Sequence, residues 1–294
     1  MVDFIHNNKD RYGVEAICRI LPIAASTYYR TLDLADNPEH RAKRALHDLH
    51  HAEQIKRIWK ESLGRYGVRK VWQQLKREGY VIARCTVARL MQKLGIQGVW
   101  RGKNKQTTRS RDDQKRADDL VKRNFNADHP DQLWVADFTY IQTHSGWVYT
   151  AFIIDVFSRA IVGWKVSTRM NTDMVLDALE QALHDRGMPK NVIHHSDRGV
   201  QYLSIRYTNR LEAANLRASV GTTGDSYDNA LAETVNGLYK TEVIEYLKAD
   251  WQGLADVQLA TLNWVDWFNK KRVHSALGYV SPFEFEAMYY DKIN

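Results

Sequence analysis

Three carboxylic acids and one amine in this chain are spaced so that a fold could bring them together. Asp137 stands in the middle of the apolar run "QLWVADFTYIQ", Asp197 in "HHSDRGVQY", and Glu233 in "SYDNALAETVNGLYKTE". Thirty-five residues separate Asp197 from Glu233, and Lys240 follows the glutamate by seven. A carboxylate in so apolar a strand is costly unless it is paired, hydrogen-bonded or bound to a cation. Two carboxylates at close range repel, and a divalent cation that prefers oxygen ligands is the common remedy. On a helix turning about 100° per residue, seven steps return nearly to the starting direction, which places Glu233 and Lys240 on one face. Gly237 lies between them as a small residue permitting close approach. Each acid alone has an ordinary reading: a capped aspartate, a polar loop, a solvated helix glutamate. Taken together they point to a set that holds metal.

The elements that must position this set are legible in outline. Strand alternation puts Leu133, Val135, Asp137, Thr139 and Ile141 on one face, with Trp134, Ala136, Phe138 and Tyr140 on the other. "QLWVADFTYIQ", "GWVYTAFIIDVF" and "AIVGWKVST" read as three strands of an antiparallel meander, rich in β-branched and aromatic residues. A helix over 172–186 leads to a short fourth strand, Asn191-Val192-Ile193, whose C-terminal tip delivers Asp197; the ordinary reading of that polar stretch, His195 included, is a loop closing the strand. If that strand pairs beside the first, Asp137 and Asp197 converge. A helix over 203–215, a short strand in "LRASV" and a long helix from Asp228, its N-cap, to Tyr246 complete a mixed α/β unit. Beyond residue 250 the pattern is helical, then a loop, then a short helix.

The first hundred residues have a different character, all helical. "RYGVEAICRIL" and "PIAASTYYRTL" form one helical pair within 1–34, and 41–62 is a charged amphipathic helix. The next pair is clearer: "YGVRKVWQQLKREG" ends at Gly79 and "IARCTVARLMQKLG" at Gly95. As a helix-turn-helix, its second helix would present Arg84, Thr86 and Arg89 to a DNA major groove; as a plain hairpin, those residues would be a solvated face. "RGKNKQTTRSRDDQKR" then carries seven basic residues against two acidic ones, an arm whose Arg101, Lys103 and Lys105 suit phosphate tracking. The expected organisation is a helix-turn-helix-like segment over 1–40, a helix-turn-helix DNA-binding domain over 41–100 and a basic linker over 101–130. A catalytic core over 131–248 and a C-terminal helical extension over 249–294 complete it.

Composition narrows the class. The 294 residues carry a formal charge of +7, which favours a polyanionic partner. Neither a membrane-spanning run nor a signal-peptide pattern is visible, so a cytoplasmic protein is expected, with no membrane partner. Two cysteines, Cys18 and Cys85, are too few for a disulfide framework or a four-cysteine zinc site and are expected to be reduced and buried.

The acid spacing with its trailing lysine resembles the DD(35)E signature of retroviral integrases and related bacterial transposases. "WVADFTYI", "IIDVFSRAIVGW", "HSDRGVQY", "YDNALAE" and "NKKRVHSALGYVSPFEFE" are similar, in order, to blocks of the catalytic, second-reading-frame polypeptide of the insertion-sequence-three family. The resemblance runs from about 130 to 290, and the helical pair at 65–100 is similar to that family's helix-turn-helix region. It implies an α/β fold: an RNase H-like integrase core, a mixed five-stranded sheet with flanking helices, preceded by an all-α helix-turn-helix region. The implied activity is that of a DDE transposase, a polynucleotidyl transferase performing 3′-end cleavage and strand transfer of DNA. Two Mg²⁺ ions, with Mn²⁺ as a substitute, would be held by Asp137, Asp197 and Glu233, and Lys240 would lie near the bound strand. Element ends and target DNA are the implied partners, with a homo-oligomer on DNA, an upstream-frame partner or frameshift fusion, and residence in the bacterial cytosol with the nucleoid. The resemblance gives Asp155 a structural role near Ser158 and Arg159. Rival readings are a DNA-binding regulator or accessory factor with an integrase-like fold, and a nuclease that cuts without joining.

Overall fold

The computed structural model describes residues 1–100, 121, 125–197, 199–220, 230–247 and 250–293. Arg101, Lys103, Lys105 and the expected N-cap Asp228 lie outside the described residues. Three helices open the chain: α1 (Val2–Tyr12), α2 (Val14–Ile20) and α3 (Ala25–Asp36). They close over a small cluster of their own, centred on Ile5, Ile17 and Tyr28.

The amphipathic helix α4 (Lys43–Glu61) packs on the pair α5 (Val68–Arg77) and α6 (Arg84–Lys93). Val71 and Leu75 face Val87, Leu90 and Met91, the apolar positions spaced three to four apart in each helix. Gly79, at φ 87°, takes the left-handed conformation that lets the chain reverse after α5. Cys85 corrects an expectation: it is exposed, because two helix positions separate it from Val87 and turn it away from the packed face. Cys18 is partly buried.

The second half is built on a five-stranded sheet of β1 (Leu133–Thr143), β2 (Gly146–Asp155), β3 (Ile161–Ser167), β4 (Ile193–Ser196) and β5 (Arg217–Val220). The spatial order is β3-β2-β1-β4-β5, with β1, β2 and β3 antiparallel and β4 and β5 added in parallel. Both faces of β1 are covered, which explains its nearly continuous apolar sequence. Trp134 and Ala136 face α7 (Thr172–Asp185) and α8 (Ile205–Ala213). Gly163 permits that packing, since a Cβ there would stand 2.2 Å from the Ala178 carbonyl oxygen. Leu133, Val135 and Ile141 face the opposite cluster, which includes α9 (Ala230–Tyr239) and α10 (Leu254–Lys270). That cluster continues without a break into Ile55, Ile58, Val71 and Leu90 of the helical region. The last helix, α11 (Pro282–Ile293), is tied to the core through Arg186, which pairs with Asp131 at 2.8 Å and with Glu286 at 2.6 Å.

The fourth strand differs from its sequence reading. It begins at Ile193 and includes both histidines and Ser196, so these are strand residues, not a loop. Their polar groups are satisfied sideways: His194 meets the Tyr207 hydroxyl at 3.0 Å and His195 meets the Ser219 hydroxyl at 2.9 Å. A strand can carry buried polar side chains on those terms.

Asp155 is fully buried and accepts from the Ser158 amide at 2.7 Å, the Ser158 hydroxyl at 2.8 Å and the Asp131 amide at 2.8 Å. It fastens the β2–β3 turn to the entry of β1. Asp155→Ala orphans three donors, two of them buried, and urea denaturation is expected to show a loss of about 3 kcal/mol or more. A loss below about 1 kcal/mol would mean that the turn finds other partners. Among the described residues no helix is long and apolar enough to cross a membrane.

Candidate active site

Asp137 sits at mid-strand on the face of β1 that α9 covers. Both of its carboxylate oxygens are held: the Phe138 amide donates to one at 2.8 Å and the Asn236 side-chain amide to the other at 2.8 Å. The group retains some accessible surface, yet the dense protein around it desolvates the charge. Desolvation first, then repulsion from Asp197, then from Glu233, pushes its pKa up to about 8. The two hydrogen bonds oppose that rise without cancelling it.

Asp197 comes immediately after the last residue of β4. Because β4 pairs in parallel with β1, aligning Ser196 with Ala136, its neighbour Asp197 is delivered beside Asp137. One of its oxygens accepts from the Gly199 amide at 2.9 Å. Burial raises its pKa, while that hydrogen bond and the charge it sees on His195 work the other way. Glu233 lies in the first turn of α9 and is exposed, and its pKa is raised by desolvation and by Asp197. The three acids predicted from spacing are therefore brought into one neighbourhood by β1, β4 and α9, and the Asp197 charge disfavours ionisation of both Asp137 and Glu233. Among the described residues no group of three or more His, Cys, Asp or Glu side chains is closed into a metal-holding set as it stands.

Asn236 was not anticipated. It is buried at 8% exposure, donates to Asp137, and its own side-chain oxygen has no hydrogen-bond partner. The signal was present in its place one helical turn after Glu233, where a short polar residue among apolar ones invites a question. Tyr202 is a second addition: it is buried against Phe138, and burial, Tyr207 and the two aspartates together hold its hydroxyl protonated well above the usual range.

The other predicted contacts divide. Lys240 begins a π-helical turn, Lys240–Glu245, that continues α9, and its ammonium lies over the Tyr140 ring at 4.7 Å. Arg84 is exposed at the start of α6 and Thr86 is half-buried. Arg89 is also exposed but makes a forked contact with Asp48 at 2.8 and 2.9 Å, so its guanidinium is partly engaged.

Comparison with known proteins bears directly on this arrangement. Residues 127–226 and 214–282 match integrase core domain families, and residues 47–104 match an HTH-like domain family. The transposase for insertion sequence element IS629 of Shigella sonnei is 52% identical over 293 residues, covering 100% of this chain and 98% of that protein. The chain belongs to the insertion-sequence transposases. Transposase InsF for insertion sequence IS3A of Escherichia coli K12 is 31% identical over 289 residues, covering 96% of this chain and 97% of that protein. The transposase also resembles the HTLV-2 integrase catalytic core solved with magnesium, at 18% identity and a TM-score of 0.44, over 55% of this chain and 99% of that one. It is a DDE transposase with an RNase H-like integrase core, a polynucleotidyl transferase acting on DNA.

Proposed function

We propose that Asp137, Asp197 and Glu233 are the catalytic carboxylates of this transposase and that together they hold two divalent cations, Mg²⁺ with Mn²⁺ as a substitute. The observation that carries this reading is the convergence of the three acids: desolvation raises the pKa of each, Asp197 adds to the rise at both Asp137 and Glu233, and no Lys or Arg among the described residues forms an ion pair with any of them. Such a donor set is all oxygen and acidic, the kind that hard cations prefer, and the unpartnered oxygen of Asn236 adds an acceptor beside it. Bound cations would supply Lewis-acid stabilisation of the attacking and leaving oxygens of an in-line displacement.

The reaction is phosphodiester exchange. Water attacks the phosphodiester at an element end and releases a 3′-hydroxyl. That hydroxyl attacks a second phosphodiester, forming one oxygen–phosphorus bond as another breaks. No covalent link to a protein side chain is needed. The protein's own residues orient the acids: Asn236 and the Phe138 amide hold Asp137, and the Gly199 amide holds Asp197. Lys240, whose ammonium lies over the Tyr140 ring, would meet the phosphate or terminal base of the bound strand.

Arg84, Thr86 and Arg89 of α6, with Arg101, Lys103 and Lys105, are proposed as DNA contacts. Juxtaposing two element ends calls for a homo-oligomer on DNA, joined or preceded by an upstream-frame segment, in the bacterial cytosol with the nucleoid. A strand-transfer assay with pre-cut oligonucleotide ends tests the reading: joined product is expected with Mg²⁺ and none with a chelator. Joining without divalent metal removes the metal assignment, and cleavage without joining leaves a nuclease. Binding of the same ends should fall steeply with salt, by about 10³-fold or more between 50 and 200 mM if six or more phosphates are contacted. A shallow slope in a gel-shift series would remove the basic arm from the interface.

A further inference from the structure

Among the described residues a cluster of buried charged side chains lies where the helical DNA-binding region meets the catalytic core. Glu242, in the π-helical turn after α9, is 6% exposed and sits against Arg272 at 5% and Arg65 at 7%. Arg272 clasps its carboxylate, with Nη2 at 2.6 Å from Oε1 and Nε at 3.1 Å from both oxygens. Trp264 of α10 donates its indole N–H to Oε2 at 3.1 Å. Arg65, in the connection between α4 and α5, donates Nε to the backbone carbonyl of Glu242 at 3.0 Å and lays its guanidinium over Trp267 at 4.7 Å. Two separate parts of the chain thus hold one residue, from its side chain and from its backbone.

The backbone contact is informative because of where it falls. In an α-helix the Glu242 carbonyl would accept from the Tyr246 amide. Here the Tyr246 amide donates to Val243 instead, and the Glu242 carbonyl receives Arg65. Gly64, beside Arg65, packs on the same turn so closely that a Cβ there would stand 2.0 Å from the Tyr246 hydroxyl oxygen. A π-turn is a rare, single-turn device, and its alternative is a regular α-turn shifted by one residue. Such a shift rotates the helix before the turn by about 100° relative to the segment after it. The helix before the turn is α9, which carries Glu233 and Asn236.

We propose that Arg65, Glu242 and Arg272 form a positioning relay: docking of the DNA-binding region fixes the π-turn, and the π-turn fixes the register in which Glu233 and Asn236 meet the two aspartates. The functional half of this proposal rests on the assignment of Glu233 to the catalytic set. Arg65 touches neither DNA ends nor reacting atoms in this role; it acts through the helix.

The test uses the full chain and two readouts. Arg65→Met keeps the length of the side chain over Trp267 and removes the donor. Hydrogen exchange of amides across 230–247 is expected to rise about tenfold, as one charged hydrogen bond is lost. Strand transfer of pre-cut ends should fall about tenfold, with end binding in gel shifts unchanged and Arg65→Lys restoring most of both. Exchange equal to that of the native chain overturns the relay whatever the activity. Faster exchange with undiminished joining overturns it as well. Should Arg65→Met fail to fold, the double variant Glu242→Gln, Arg272→Met removes the clasped pair together, leaving Arg65 and Lys70 as the cations beside it, and is expected to raise exchange across 230–247 likewise; native exchange there overturns the relay. Glu233→Gln separates the two claims. Normal joining by that variant removes Glu233 from the catalytic set, while the exchange measurement still judges the link between Arg65 and α9.

Discussion

Asp137→Asn, Asp197→Asn and Glu233→Gln are each expected to lower both cleavage and strand transfer by about 10³-fold or more, with end binding nearly unchanged. A metal-assisted displacement draws several kcal/mol of transition-state stabilisation from its cations, and each 1.4 kcal/mol is about tenfold in rate. The amides retain the size of the acids but not their charge, so they cannot hold a divalent cation against water. DNA affinity should survive, because the basic side chains proposed to carry it are not the three acids. The most demanding case is Glu233, the most exposed of the three acids. Rates from single-turnover assays with pre-cut and uncut ends, beside gel shifts on the same preparations, decide the matter. Near-native joining by any of the three amide variants removes that residue from the set.

The second large effect concerns stability without metal. The Asp137 carboxyl titrates at about 8 in the folded protein, against about 4 in an unfolded chain. A folded-state pKa above the unfolded one means that the native state holds the extra proton between those values. The stability this group contributes is complete below about pH 4 and is lost as pH rises through about 8. In chelator, the thermal midpoint of the native chain should therefore fall relative to Asp137→Asn between pH 6 and pH 9, by several degrees. Above pH 8 the inactive variant should be the more stable protein. Mg²⁺ should reverse that order by raising the native midpoint alone, and its binding below pH 8 should release protons, measurable as a buffer-dependent heat. Parallel midpoints for the two proteins across pH 6–9 in chelator would show that Asp137 is ionised throughout, with its charge met by some other group.

The variants differ in what their failure would mean because the site is made of unlike parts. Asp137 is held by a strand amide and by Asn236, so its position is a property of β1 and α9 together. Asp197 is held by its own turn through Gly199. Among the described residues no hydrogen bond holds the Glu233 side chain, so its place is set by its helix and by the π-turn behind it. Removing Asn236 should thus affect Asp137 selectively, whereas loosening the π-turn should affect Glu233 and Asn236 at once.

Much of this was legible in the sequence, for physical reasons particular to each residue. Alternation in β1 assigned Asp137 to the same face as Val135 and Ile141, and that face is the one α9 covers, because a period of two leaves no choice once one face is fixed. The acid spacing, with its ordered blocks of similarity, assigned the family. The resemblance implied a structural place for Asp155 near Ser158, and Ser158 and the Asp131 amide supply its hydrogen bonds. Other features were hidden. The histidines of β4 looked like a loop because polar residues argue against a buried strand, and only Tyr207 and Ser219, distant in sequence, make them tolerable there. Cys85 looked buried by residue type, yet its rotation about α6 turns it outward.

What the sequence by itself determined, then, was the family, the acids that are candidates for the catalytic set and the local elements that bear them, since periodicity and spacing are properties of neighbouring residues. What only the tertiary structure decided was every relation between groups far apart in the chain. The hydrogen bond from Asn236 to Asp137, the stack of Lys240 on Tyr140 and the grip of Arg65 and Arg272 on Glu242 belong to this class. None has a local pattern, because each depends on how helices settle against the sheet. The pKa of Asp137 belongs there too, for desolvation is a property of the packed whole and not of any segment.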